Sequence, residues 1–325
     1  MPRHAVRPVM LAAAIAATLI TPGCSSAPAA TVQAPPGSAI TVEAVPATGA
    51  AGLYIASDQG LFTRAGLRVR IISSASAANA LPDLLAGRVQ VVLGQWTTAL
   101  GAQARGIRLR ALAAGNNGAP GLEQLMTLPG SPVRRLSQLR GKVIAVNALG
   151  GLSQMLTQAA LLPDGITGTQ VRWTVMPFQN MTAALTARKV TAAFMIEPYI
   201  SAGEASDGLT GLTDLDTGPT TDIPITGYFT TAAWASQHPA LTAAFTAALQ
   251  AGQQQADTSR AAVEHAMTGH LHITPVIASM MAIGTFPLGV NAVQLGRIAG
   301  LMTTSHLLPA GTNSAAVARA LTGPT

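Results

Sequence analysis

Two hydrophobic periods alternate along the first third of the chain. Residues 40–45 (ITVEAV), 67–71 (LRVRI), 89–93 (VQVVL) and 107–113 (IRLRALA) are strand-length runs rich in β-branched and apolar side chains. Between them lie stretches with helical spacing at 50–59, 79–86 and 97–105, closed by Gly60, Gly87 and Gly106. Mostly apolar strands separated by helices predict parallel βαβ units with both faces of the sheet covered. The sequence LPGSP at 128–132 forbids both a helix and a central strand, and a domain crossing is expected there. The pattern then restarts, with strands at 142–147, 171–176 and 190–196, helices at 152–162 and 180–187, and a late strand at 225–230. Beyond residue 232 it is mainly helical, including Ala-rich segments at 239–267 and 291–302.

An internal correspondence runs through this pattern. At an offset of 101 residues, LLAGRVQVVL (84–93) aligns with LTARKVTAAF (185–194), each reading as helix end, basic turn and buried strand. The same offset pairs Trp96 with Glu197, each just past the carboxyl end of its strand, where open α/β sheets place their ligands. Two similar halves facing one another across a cleft are therefore expected.

The first 23 residues read differently. Arg3 and Arg7 precede an apolar run over 9–20, too short to span the ~30 Å hydrocarbon core of a bilayer and suited to the h-region of an export signal. Thr21-Pro22-Gly23-Cys24 resembles a bacterial lipobox, in which the cysteine carries lipid and becomes the mature N-terminus. Cys24 is the single cysteine of the chain, so this assignment leaves no disulfide and no thiolate metal site. Residues 24–38 are small, polar and Pro-rich and are expected to form a flexible tether. The net charge of +6 falls to +4 without the signal. The basic residues are scattered, without a run or helix face interleaved with aromatics, which disfavours nucleic acid as a partner.

No G-x-S-x-G, Walker loop or dinucleotide fingerprint occurs, and the spacing of His265, His270 and His272 matches no standard metal site. No catalytic residue, metal or cofactor is expected. Several segments instead carry a resemblance. ASDQGLFTRAGL (56–67), LLAGRV (84–89), SPV followed by LRGKVIAV (131–133 and 139–146), EPY (197–199) and QHP (237–239) are similar, in order and spacing, to motifs of solute-binding proteins of ABC importers in the group handling nitrate, sulfonates, taurine and thiamine-precursor pyrimidines. Departures are Gln90 and Thr191, where an aspartate is usual after the basic turn, and His238 in place of asparagine.

The resemblance implies an α/β, two-lobed periplasmic-binding-protein-like fold of type II, each lobe a mostly parallel sheet flanked by helices. Residues 1–23 would be the signal, 24–38 the tether, 39–131 with 232–325 the first lobe, and 132–231 the second. It further implies a monomeric receptor, lipid-anchored on the outer face of the cytoplasmic membrane, that passes a small molecule to an ABC permease. Ligand sensing, or a pyrimidine-precursor enzyme on the same scaffold, is the alternative.

A binding cleft needs apolar walls and a few aimed polar groups. The expected ligand-binding set is Thr48 and Gly49 after the first strand, Ser74 and Ser76 after the second, Trp96, Asn116, Gly151 and Ser153 at a helix start, Phe178, Glu197, Tyr199 and Tyr228. Glu197 would repel an anion, and no arginine falls at an expected cleft loop. That favours an N-heteroaromatic or amine-bearing ligand over a nitrate or sulfonate anion.

Overall fold

The computed structural model describes residues 1–2, 33–35, 37–74 and 77–323. The expected signal, Cys24, Ser76 and most of the tether lie outside the described residues. All elements of the fold belong to the unit Val32–Thr325.

Ten strands form two five-stranded sheets. In chain order they are β1 (Ser38–Ala44), β2 (Leu67–Ser73), β3 (Val91–Gln95), β4 (Leu109–Ala114), β5 (Glu123–Thr127), β6 (Val143–Val146), β7 (Arg172–Val175), β8 (Ala192–Ile196), β9 (Thr210–Asp214) and β10 (Thr226–Thr231). The first sheet has the order β2-β1-β3-β10-β4 and the second β7-β6-β8-β5-β9. Both are mixed rather than purely parallel: β10 runs antiparallel to β3 and β4, and β5 runs antiparallel to β8 and β9.

Sequence periodicity passes over β5 and β9, and over the antiparallel direction of β10. A βαβ pattern finds strands that follow a helix, whereas β5 and β10 each enter from the opposite sheet. β5 (EQLMT) reads too short and too polar to stand out, and β9 (TGLTD) is as inconspicuous. They also move the crossings. Since Glu123–Thr127 pairs in the second sheet and Thr226–Thr231 in the first, the chain passes between sheets before residue 123 and again before residue 226, not at 128–132 and at the expected lobe boundary of 231–232. The two passages run side by side, with Gly118 N–H donating to Ile223 O at 2.9 Å and Ile225 N–H to Asn116 O at 2.9 Å.

The core follows from the alternation in the strands. Ile40, Val42 and Ala44 on one face of β1 pack with Leu53, Tyr54, Phe245 and Leu249 from the helices Ala51–Asp58 and Pro239–Thr258. A second apolar cluster covers the other face of the first sheet and continues through the second, from Val92 and Leu100 to Leu125, Ile144 and Phe194. β3 and most of β8 are buried throughout, as expected for central strands covered on both faces.

Candidate functional site

The strand ends of the two sheets meet around one enclosed cavity of ≈ 40 Å³. Its walls come in matched sets. After β1 stands Val45 and after β6 Asn147; β3 ends in Gln95 and β8 in Ile196; β10 begins at Thr226 and β5 at Glu123. The register confirms the correspondence, with Thr226 opposite Gln95 and Glu123 opposite Ile196. Ala47, Gly49, Ala50, Leu93, Leu152, Phe178 and Ile225 supply most of the remaining surface. A cavity of this size takes about three waters, or a small group of a few heavy atoms.

Most of the wall is apolar, so its four polar side chains carry the chemistry. Gln95 Oε1 accepts from Leu152 N–H at 3.4 Å, which links the first sheet to the start of the helix Leu152–Leu161 across the cavity. Thr226 donates its hydroxyl to Asn116 Oδ1 at 2.5 Å. Asn147 Oδ1 and Glu123 Oε2, by contrast, are buried without a hydrogen-bond partner. A buried polar atom left unpaired costs about 1–3 kcal/mol, so two of them lining one cavity form a ready binding surface.

Glu123 belongs to a carboxyl cluster. Its N–H donates to Asp216 Oδ2 at 2.9 Å, Asp216 N–H donates to Asp214 Oδ1 at 2.9 Å, and Gly121 N–H donates to Asp214 Oδ2 at 2.9 Å. Burial pushes the Glu123 carboxyl well above the usual range, and the neighbouring Asp216 and Asp214 charges push it further. Burial likewise raises Asp216 to about 6, against the hydrogen bonds it receives from Glu123. Burial and the neighbouring acids therefore favour the protonated, neutral form of Glu123. Glu123 lines the cavity, and its Oε2 is left without a hydrogen-bond partner. Among the described residues, no arginine, lysine or histidine lines the cavity.

Of the residues expected from sequence, Gly49 and Phe178 line the cavity and several others support it. Gly49 must lack a Cβ, which would stand 2.6 Å from Asn116 Oδ1. Thr48 is buried beside it, and Asn116 orients Thr226. Gly151 caps the helix whose first amide meets Gln95, and Ser153 donates to Ala148 O at 3.4 Å. Tyr199 stacks on Phe178 with ring centres 5.7 Å apart and donates to Pro46 O at 3.4 Å, joining the second sheet's helix to the loop after β1.

Four expected residues do other work. Ser74 hydrogen-bonds the buried Glu43 carboxyl. Tyr228 is fully buried and meets Phe245 edge-on at 6.5 Å, inside the first core. Trp96 and Glu197 occupy equivalent places, as the offset requires, but they do not share the cavity. The Trp96 ring lies over Gly227, where a Cβ would come within 1.9 Å of it, because the antiparallel β10 runs beneath. Glu197 is turned into its own helix Tyr199–Asp207: Oε1 accepts from Ser201 Oγ at 2.8 Å and Ala282 N–H at 3.2 Å, and Oε2 accepts from Ser201 N–H at 3.1 Å. With both oxygens used, Glu197 is a helix-start acid and a clasp for the loop at Ala282.

Sequence reasoning missed Gln95, Glu123, Asn147 and Thr226. Asn147 had a signal, since it ends the expected strand 142–147, and Gln95 stands two residues past the expected strand 89–93. Thr226 fell inside the expected strand 225–230, but Glu123 had no signal, because it opens an antiparallel strand whose pairing only the folded chain displays.

The family described as NMT1/THI5 like matches residues 47–259. The chain belongs to the NMT1/THI5-like family. No curated protein matches it significantly. Among solved structures, the alkanesulfonate-binding protein SsuA from Xanthomonas axonopodis pv. citri bound to MOPS is 17% identical and superposes with a TM-score of 0.75, covering 87% of this chain and 99% of that one. The periplasmic nitrate-binding protein NrtA from Synechocystis PCC 6803 gives 14% identity and a TM-score of 0.73, with 86% and 85% covered. The desulfurization enzyme DSZB gives 16% identity and a TM-score of 0.63, with 83% and 93% covered. At these identities the likeness is one of fold: this NMT1/THI5-like chain has the two-lobed type II periplasmic-binding-protein architecture, built from mixed sheets. Among the described residues, no helix is long and apolar enough to cross a membrane.

Proposed function

We propose that this chain is an exported, lipid-anchored solute receptor that delivers its ligand to an ABC permease. The ligand would be small and uncharged, presenting N–H donors to Glu123 and Asn147, as an aminopyrimidine or an amide-bearing metabolite does. One observation carries the reading: a cavity between the strand ends of two lobes sets two unpartnered, buried acceptors in an apolar wall without a basic side chain. An anion would meet no cation there and would face a carboxyl pair. The likeness to sulfonate- and nitrate-binding proteins supports the receptor role rather than that ligand class.

Two passages of chain joining the lobes supply a hinge, and a ligand larger than the cavity would hold the lobes further apart. Among the described residues the wall contains no cysteine, histidine or serine to act as nucleophile, which places the enzyme alternative second.

Native mass spectrometry of the protein purified from its own host tests both parts. A retained neutral molecule with N–H donors, bound by titration calorimetry, is the expected result. Retention of nitrate or a sulfonate would overturn the ligand class, and turnover of the bound compound would overturn the receptor role.

A further inference from the structure

We propose that the end of the first sheet remote from the cavity is a docking face for anionic lipid headgroups, centred on Arg108, Arg110 and Arg319. β1, β2, β3 and β4 all start at this end, since β1 is parallel to β2 and β3, and β4 and β3 are both antiparallel to β10. The cavity lies at the opposite end, where β3 finishes at Gln95. The three arginines line one open groove of ≈ 710 Å³. None of them forms an ion pair among the described residues. Asp58 and Asp83, the acids that chain order brings to this end, are already paired with His270 and Arg88.

Helix C-termini favour cations, which accounts for Arg319 in the last turn of Ser314–Thr322. Arg108 and Arg110 owe nothing to a helix end. They flank Leu109, which is buried, so strand alternation turns both to the outer face. Three guanidinium groups round one groove, without an ion pair among the described residues, match phosphate-bearing headgroups, which they can bind bidentately.

The occupant follows from where the described chain starts. Ala34 N–H donates to Ala65 O at 3.0 Å, just ahead of β2, and Ser38 opens β1, so residues 33–38 run along this same end. Cys24 stands 14 residues before Ser38 in sequence. The inference rests on the lipid-anchor part of the proposed function.

The chain from Ser25 onward, which holds every described element of the fold but no lipid, separates the two ideas. Sedimentation with phosphatidylcholine vesicles, with and without phosphatidylglycerol, is expected to show partition onto the anionic vesicles alone, weakening as salt rises. Each arginine removed should cost about fivefold, and Arg108→Gln/Arg110→Gln/Arg319→Gln should sediment as with neutral vesicles. The exposed pair Arg134→Gln/Arg135→Gln should leave partition unchanged. Equal binding to both vesicle types, a triple variant that binds like the parent, or an equal loss in the control pair would overturn the proposal. So would retention on polyglutamate without binding to the anionic vesicles. Fractionation of Cys24→Ser tests the anchor alone, and its outcome leaves the vesicle result standing.

Discussion

The two sheets have the same strand order, and β3 and β8 coincide residue for residue at the 101-residue offset, yet equivalent positions at the cavity do different things. In the first sheet the polar wall residues are satisfied: Gln95 meets an amide of the other lobe and Thr226 meets Asn116. In the second, Asn147 and Glu123 keep acceptors without partners. In the proposed function, one half closes the site and the other half reads the ligand. Trp96 and Glu197 make the same point one residue further on, since the first fills space above β10 and the second ties down its own helix. A repeat preserves backbone positions, and each lobe's packing then decides what a side chain there can reach.

The comparison can be broken most severely at Gly227 and its counterpart Gln124. Gly227→Val drives a side chain into the Trp96 ring and should cost about 3 kcal/mol or more, read by chemical denaturation. Gln124→Val, half-buried in the second sheet, should cost well under 1 kcal/mol. Equal losses would mean that the two sheets tolerate bulk alike.

The division between closing and reading predicts a split in binding. Glu123→Leu should weaken the ligand by about 2–3 kcal/mol in titration calorimetry, and Asn147→Leu by about 1–2 kcal/mol. Glu123→Gln should bind almost as the parent, because it keeps an acceptor oxygen and a donor to Asp216. A loss in Glu123→Gln as large as in Glu123→Leu would mean that the ionised carboxylate is what the ligand needs.

The carboxyl cluster adds a dependence on pH. The folded pKa of Asp216 is raised from 3.8 to about 6 and that of Glu123 is raised as well, so the folded protein holds protons that the unfolded chain releases. Stability should therefore fall as pH rises from about 4 to 6, by at most ~1.4 kcal/mol per pH unit for each such group, and should change less above. Glu123→Gln should flatten that slope in denaturation series. A parent whose stability rises across the window would contradict the protonated pair.

Glu197 offers a smaller contrast. Glu197→Ala should cost about 1–2 kcal/mol of stability by leaving Ser201 and Ala282 without their acceptor, and should leave ligand affinity nearly unchanged. A reversed result would return Glu197 to the binding surface. The smallest effect belongs to Tyr199→Phe, which removes one long bond to Pro46 O and should change affinity by under ~1 kcal/mol while keeping the stack on Phe178.

Much of this was legible in the chain itself. The periods of 2 and 3.6 located β1, β2, β3, β4, β6, β7, β8 and β10 to within a few residues, because those strands follow helices or are strongly apolar and must be buried on both faces. The offset found equivalent strand ends, and the ordered motifs pointed to the family. Gly49 and Phe178 were found because they sit at strand-to-helix junctions, where such sheets place ligands. The tertiary structure alone decided the rest. Pairing between segments distant in sequence leaves no local period, so β5, β9, the antiparallel direction of β10 and the crossings were hidden. Glu123 reaches the cavity through that pairing, and burial beside Asp216 raises its pKa, while Glu197, with the same functional group and a more suggestive motif, is spent on its own helix. Which carboxyl faces a ligand depends on desolvation and hydrogen-bond partners, and both are properties of the folded neighbourhood.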